Sequence, residues 1–348
     1  MAAKAFITGL SGPRLTRDER LFLGDERPWG LILFSRNCRE PHEIEDLIAG
    51  FRDAVAAANA PVLIDQEGGR VQRLNPPHWH AYPPARVFGR LAADEAAEGV
   101  RAAYLSARLI AADLGRLGIT VDCLPVLDVA HPGMTDAIGD RAYSSDSELV
   151  ARLGKAAADG LLAGGVLPVM KHLPGHGRAT ADSHRSLPMI EAPADELESS
   201  DFRPFAELSG LPIGMTAHVV LRAYDPAQPA TTSETIVGRV IRGLIGFDGL
   251  LLSDDIGMQA LSGDFTRRAS AAYDAGMDIV LHCSGVMAEM RAVAAAAPDL
   301  SGRSEARASA ALARLEPPGT FDPEAGREEL MRLCRRADWP AEAGLEQG

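Results

Sequence analysis

The chain has few cysteines and none paired in sequence. Four occur in 348 residues, Cys38, Cys123, Cys283 and Cys334, far apart and with no CxxC spacing. That pattern excludes a disulfide framework and gives no basis for a structural zinc; reduced core thiols in a cytoplasmic protein are expected. Long apolar runs are also missing: none approaches the roughly 20 residues of a membrane helix, so no membrane insertion is expected. The opening MAAKAFITGLSGPRL ends its short apolar run on Gly, Ser and Pro with no cleavage pattern, so it does not read as a secretory leader. Basic residues are outnumbered, 35 Lys plus Arg against 48 Asp plus Glu, for a formal net charge of −13. Phosphate neutralisation needs clustered cations, so nucleic acid and anionic membrane are poor partners. There is no Walker loop, no complete GxGxxG and no HExxH, and the His78/His80 pair lies in a Pro-rich loop past its strand end. No cofactor and no metal are therefore expected. No linker, low-complexity run or repeat divides the chain. It reads as one domain over 1–348, with a charged tail from about Pro317 packing outside as short helices.

What the chain does contain is a regular succession of short apolar runs. They are KAFITGL (4–10), WGLILFS (29–35), PVLIDQ (61–66), ITVDCLPVLDV (119–129), GVLPVMKH (165–172), LPIGMTAHV (211–219), GLLLSDD (249–255) and DIVLHC (278–283). Rich in Leu, Ile and Val and without clean period-two alternation, they read as strands buried on both faces. Amphipathic stretches lie between them at 40–59, 100–118, 144–165, 195–210, 233–249 and 267–276. Strands alternating with helices predict an α/β fold, and the count and length favour a closed, TIM-type (β/α)8 barrel over an open doubly wound sheet. Asp65, Asp128, Lys171, His172, His218, Asp254, Asp255 and His282 then fall at C-terminal strand ends, the face that carries a barrel's active site. Capping or satisfied burial explains any one of them, but not the whole set on one face.

Three segments concentrate the chemistry. In IDQEGGRVQR (64–73), Asp65 ends a strand and Arg70 and Arg73 follow a Gly pair. Carboxylate accepts from hydroxyls and guanidinium donates in a fixed fork, which suits a polyhydroxylated ligand; a structural Asp–Arg pair is the competing reading. In GLLLSDDIGMQAL (249–261), one of Asp254 and Asp255 can point into a barrel mouth as a nucleophile while its neighbour points elsewhere; helix capping competes here. KHLPGHGRATADSH (171–184) holds three histidines, a lysine and an aspartate. Lys171 and His172 end a strand. Asp182 and His184 stand two apart, so on extended chain they face one way, a carboxylate placed to orient an imidazole acid/base. Gly175 and Gly177 are expected in a mobile stretch that carries this dyad in and out, with His176 holding the loop. A solvated loop is the plain alternative.

Together IDQEGGRVQR, GDRAY (139–143), KHLPGHGRATADSH and SDDIGM, in that order, resemble the family 3 glycoside hydrolases, and most closely their single-domain bacterial β-N-acetylhexosaminidases of peptidoglycan recycling. The resemblance runs from about Gly9 to His282. It implies Asp254 as a nucleophile forming a glycosyl-enzyme, His184 oriented by Asp182 as acid/base, and Asp65, Arg73, Arg141, Lys171 and His172 as the groups that hold the sugar. It implies retaining hydrolysis of terminal β-linked GlcNAc from a small carbohydrate, a GlcNAc–anhydro-muramyl peptide, by a protein expected to act as a monomer. Another sugar preference, a phosphorylase, and a non-catalytic sugar-binding relative stay open beside it.

Overall fold

The computed structural model describes residues 2–183, 186–337 and 339. Its strands are β1 (Lys4–Thr8), β2 (Pro28–Leu33), β3 (Val62–Ile64), β4 (Val121–Asp122), β5 (Leu167–Leu173), β6 (Met189–Ile190), β7 (Ile213–Thr216), β8 (Val220–Leu221), β9 (Leu250–Asp255) and β10 (Ile279–His282). Eight of them pair in parallel and close into a barrel in the order β1-β2-β3-β4-β5-β7-β9-β10. Each apolar run holds one barrel strand. β6 and β8, which no run announces, pair as a separate small sheet.

The runs lack simple alternation because both faces are covered. Every residue of β2 and β5 is buried. Ala5, Ile7, Ile32, Leu63, Val121, Leu167, Val169, Ile213, Met215, Leu250, Leu252, Ile279 and Leu281 pack into one apolar cluster. Phe6, Leu31, Leu33, Val62, Ile64, Met170, Leu251 and Val280 belong to another. Along each strand the two sets alternate, the first filling the barrel and the second meeting the helices. Each buried Leu or Ile contributes about 1.5–3 kcal/mol, and truncating one to Ala costs about 2–5 kcal/mol because a cavity remains. Two residues beyond the last inward side chain, the same parity reaches Asp65 after Leu63, Lys171 after Val169, Asp254 after Leu252 and Cys283 after Leu281. The pleat that builds the core thus aims these groups at the barrel mouth.

The helices are α1 (Arg17–Glu26), α2 (Pro41–Ala54), α3 (Ala85–Asp94), α4 (Ala96–Arg116), α5 (Ser147–Ala163), α6 (Ala194–Glu196), α7 (Arg203–Glu207), α8 (Phe265–Ala275), α9 (Met287–Ala296), α10 (Gly302–Leu312) and α11 (Pro323–Cys334). α2, α4, α5 and α8 lie where the amphipathic stretches place them. The stretch 195–210 is instead broken into α6, a π-helical turn at Leu197–Asp201, and α7. Pro204 in the first turn of α7 has no N–H to continue an α-helix through it. The stretch 233–249 holds a π-helix over Ile236–Leu244. α1 falls in none of those stretches; it opens on a capping box in which Thr16 and Glu19 satisfy each other's backbone N–H. Among the described residues no helix is long and apolar enough to cross a membrane.

Candidate active site

Asp65 leaves β3 facing inward, and the chain turns back at Gly68, whose φ of +92° is a left-handed value that side chains resist. Gln66 clamps the turn: its Oε1 accepts from the N–H of Arg73 at 2.9 Å and of Leu74 at 3.0 Å. Arg73 therefore returns to Asp65, Nη2 to Oδ2 at 3.0 Å. Lys171 Nζ, fully buried from the β5 side, sits 3.0 Å from Asp65 Oδ1 and 2.6 Å from Glu67 Oε1. Arg141 completes the cluster. Its Nε and Nη2 each donate to Glu67 at 2.8 Å, a bidentate pair. The turn Gly139–Arg141 that carries it is gripped by Arg70, which donates to the carbonyls of Ala137 at 2.9 Å and Ile138 at 3.1 Å and to Asp140 Oδ1 at 2.9 Å.

Burial by itself would push these carboxyls up. For Asp65 the Lys171 and Arg73 cations outweigh it and hold the group well below the usual carboxylate range. For Glu67, Arg141 and then Lys171 outweigh it and hold the carboxyl down at about 2. The same partners push Lys171 and Arg141 above their ordinary values against their own burial. All four are charged at neutral pH.

His172 extends the cluster sideways. The β5–β7 register shifts between Met170 and Leu173, so strict alternation lapses and His172 also reaches the cavity. Its Nδ1 lies 2.7 Å from Asp128 Oδ2 and its Nε2 3.4 Å from Arg141 Nη2. A proton on Nδ1, given to Asp128, leaves Nε2 to accept. Asp128 itself lies out of the cavity, fully buried. Burial would raise it, but His172 and His176 hold it below its ordinary value. Its Oδ1 accepts from the His176 N–H at 2.7 Å.

Across the cavity, Asp254 is partly exposed and its Oδ1 accepts from the Asp255 N–H at 2.8 Å. The Asp pair divides in its bonding, although both residues line the cavity. The Asp255 carboxylate is spent on structure, accepting from the N–H of Gly257 at 2.9 Å and of Cys283 at 3.2 Å, which ties the end of β9 to the end of β10. His218 lies buried beside them. Its Nε2 donates to the Asp255 carbonyl at 2.9 Å, so Nδ1 accepts from Thr231 Oγ1 at 2.8 Å, and burial pushes its pKa down. His282 contributes no cavity surface; its Nε2 meets Ser284 Oγ at 3.0 Å and Glu289 Oε2 at 3.2 Å.

The segment after β5 corrects the expectation of a mobile stretch at Gly175 and Gly177. Residues 171–177 are buried without a break. A Cβ on Gly177 would stand 1.8 Å from the Val129 carbonyl oxygen, so this glycine serves close packing rather than motion. The Ala179 N–H donates to the His176 carbonyl at 3.0 Å, and the Thr135 N–H donates to the Ala179 carbonyl at 2.8 Å. His176 does hold the loop, through its backbone, while its ring lines the cavity. Burial first, and the neighbouring His172 against the pull of Asp128, take its pKa to about 4, so the ring is neutral at pH 7. Asp182 and Ser183 reach the cavity wall. His184 lies outside the described residues.

These groups enclose a cavity of about 440 Å³ at the C-terminal mouth of the barrel, within the range of small-molecule sites. Asp65, Arg73, Arg141, Lys171, His172, Asp182 and Asp254 all line it, with Phe34, Met215, Met258 and Leu281 as apolar wall. The Arg73 guanidinium lies over the Phe34 ring, 5.3 Å from its centroid. Among the described residues no group of three His, Cys, Asp or Glu side chains is arranged to hold a metal ion. The four cysteines are free thiols, but Cys38 and Cys283 are only partly buried rather than core, and Cys283 lines the cavity. Sequence reasoning passed over Glu67. Its signal was the spacing of two in Asp65-Gln66-Glu67, two acids flanking one residue ahead of a Gly pair.

A model of the glycosyl hydrolase family 3 N terminal domain matches residues 7–316. A beta-hexosaminidase of Alkalilimnicola ehrlichii is 40% identical over 285 residues, 80% of this chain and 80% of that protein. One of Aromatoleum aromaticum is 35% identical over 335 residues, 94% of this chain and 91% of its own length. The crystal structure of NagZ from Neisseria gonorrhoeae in complex with N-trifluoroacetyl-D-glucosamine superposes with a TM-score of 0.86 at 30% identity, covering 96% of this chain and 99% of that one.

Proposed function

This chain belongs to glycosyl hydrolase family 3 and is a hydrolase of the beta-hexosaminidase type, and from that premise we propose that it is a retaining exo-β-N-acetylglucosaminidase. Its ligand is a terminal β-linked GlcNAc, and its natural substrate a GlcNAc–anhydro-muramyl peptide released in peptidoglycan recycling. The bound N-trifluoroacetyl-D-glucosamine of the Neisseria enzyme supports an N-acylated glucosamine as the occupant of this cavity. We place the reaction in the cytoplasm, where four free thiols stay reduced.

One observation carries the reading: an ion-paired set of charges on one wall and the partly exposed Asp254 carboxylate on the other face a single cavity. Asp65, Arg73, Arg141, Lys171 and His172 bind the hydroxyls and acyl group of the sugar. The Asp254 carboxylate attacks the anomeric carbon, and the C–O bond to the aglycone breaks as His184, held by Asp182, gives its proton to the departing oxygen. His184 then takes a proton from water, which attacks the anomeric carbon and frees Asp254 with net retention. The histidine is a cation before it gives its proton and neutral after, so unlike a second carboxylate it adds no anion beside the nucleophile.

The test is trapping with a 2-fluoro or 5-fluoro sugar bearing a good leaving group, followed by peptide mapping. The label is expected on Asp254; a label on any other residue overturns the mechanism. Release of β-GlcNAc from an aryl glycoside is expected to be indifferent to chelators, and adding phosphate should yield no sugar 1-phosphate.

A further inference from the structure

Glu67 spends a full negative charge where the reaction has no use for one. It is 7% exposed, contributes no cavity surface and lies behind two groups that do, Lys171 and Arg141. Both cations bond the same oxygen: Lys171 Nζ at 2.6 Å and Arg141 Nη2 at 2.8 Å from Glu67 Oε1. Two like charges on one atom's shell repel unless an anion sits between them. Their situations differ. Lys171 has a second carboxylate in Asp65. Among the described residues Arg141 pairs with no other carboxylate; it also donates to the Ala137 carbonyl at 3.0 Å and makes a long approach to His172 at 3.4 Å.

We propose that Glu67 is the positioning residue of the sugar subsite, its carboxylate holding the Lys171 ammonium and the Arg141 guanidinium side by side so that both meet the same edge of the bound sugar. This rests on the sugar-binding role given above to those two cations. Without the anion, Lys171 keeps Asp65 while Arg141 is driven away from it, and the pair no longer presents a joint donor surface. Glu67 touches no substrate, so it acts only through the cations it holds.

A merely structural carboxylate and a positioning one differ in how the enzyme reads individual hydroxyls. The experiment compares wild type, Glu67→Gln and Glu67→Asp on aryl β-GlcNAc and its 3-, 4- and 6-deoxy analogues, with thermal melts to confirm folding. In wild type, the hydroxyl met by Lys171 and Arg141 is expected to cost about 10²-fold in kcat/KM when deleted. Glu67→Gln should shrink that penalty by about tenfold and raise KM for the parent sugar, with fluorosugar labelling intact. Glu67→Asp, charged but one methylene short, should recover part of the discrimination. Equal deoxy penalties in wild type and Glu67→Gln overturn the proposal. Should Glu67→Gln not fold, a folded Glu67→Asp with wild-type KM and wild-type penalties overturns it as well. Calorimetric binding of GlcNAc and its deoxy analogues reads the same discrimination without turnover. A wild type that binds GlcNAc but releases none breaks the activity reading and leaves this test standing.

Discussion

The two walls of the cavity are built on opposite plans. On the β3–β5 side, Asp65, Glu67, Arg73, Arg141 and Lys171 form a closed ionic cluster in which every charge meets at least one opposite charge at 2.6–3.0 Å. On the β9–β10 side, Asp254 is partly exposed and takes a hydrogen bond from its neighbour's N–H, while the structural burden falls on Asp255. The first wall pays desolvation in advance and is set before a ligand arrives. The second bonds no counter-cation to the Asp254 carboxylate among the described residues. With the roles proposed above, fixed binding groups would face the nucleophile, which is what differential stabilisation of a transition state asks of a site.

Mutations should separate the walls, the largest effects coming from the sparse one. Asp254→Ala is expected to lower kcat by about 10⁴-fold or more while leaving the melting temperature near wild type, measured on an aryl glycoside and by calorimetry. His184→Ala and Asp182→Asn should cost about 10²–10⁴-fold on a poor leaving group and far less on an activated aryl glycoside; equal losses on both would sink the acid/base assignment. On the ionic wall the cost should appear in stability. Lys171→Met leaves Asp65 and Glu67 facing each other buried and is expected to lose about 3–5 kcal/mol in denaturant unfolding.

A pH titration sharpens the contrast from a third direction. Burial pushes the pKa of His176 in the folded protein down to about 4 from its ordinary value of 6.5. A depressed group contributes stability that is present above its unfolded pKa and lost as pH falls toward the folded one. Between pH 6.5 and 4 the wild type should therefore lose up to about 3 kcal/mol that His176→Gln does not lose, read as a flatter stability curve in the variant. The smallest effect belongs to the rim. Arg70, about half exposed, grips the turn carrying Arg141, and Arg70→Ala should raise KM a few-fold and cost about 1 kcal/mol or less.

The barrel was legible because strands buried on both faces must be apolar throughout, and the site because Asp65, Lys171 and Asp254 extend the inward parity of those strands. What escaped lies in contacts across long sequence distance. Glu67 sits in a Gly-rich turn that reads as solvated, and the partner that buries it, Arg141, is 74 residues away. Gly177 reads as a flexibility signal until the Val129 carbonyl is seen against it. The break at 195–210, read as one helix from its spacing, lies beside Pro204, and only the fold decides whether a proline opens a helix or interrupts one. The Asp182–His184 dyad stands on sequence alone, His184 lying outside the described residues.

The filled barrel interior has a kinetic consequence. Leu63, Val169, Leu252 and Leu281 pack as a solid plug directly beneath the charged cluster. Among the described residues the cavity therefore has a closed floor, with no way out through the barrel beneath it. If a terminal sugar sits at the bottom with its aglycone toward the mouth, the products depart in a fixed order, aglycone first and hexosamine last. Such an enzyme cannot slide along a polymer. It must let go after every bond, and free hexosamine, the last product out, competes with the next substrate for an empty site.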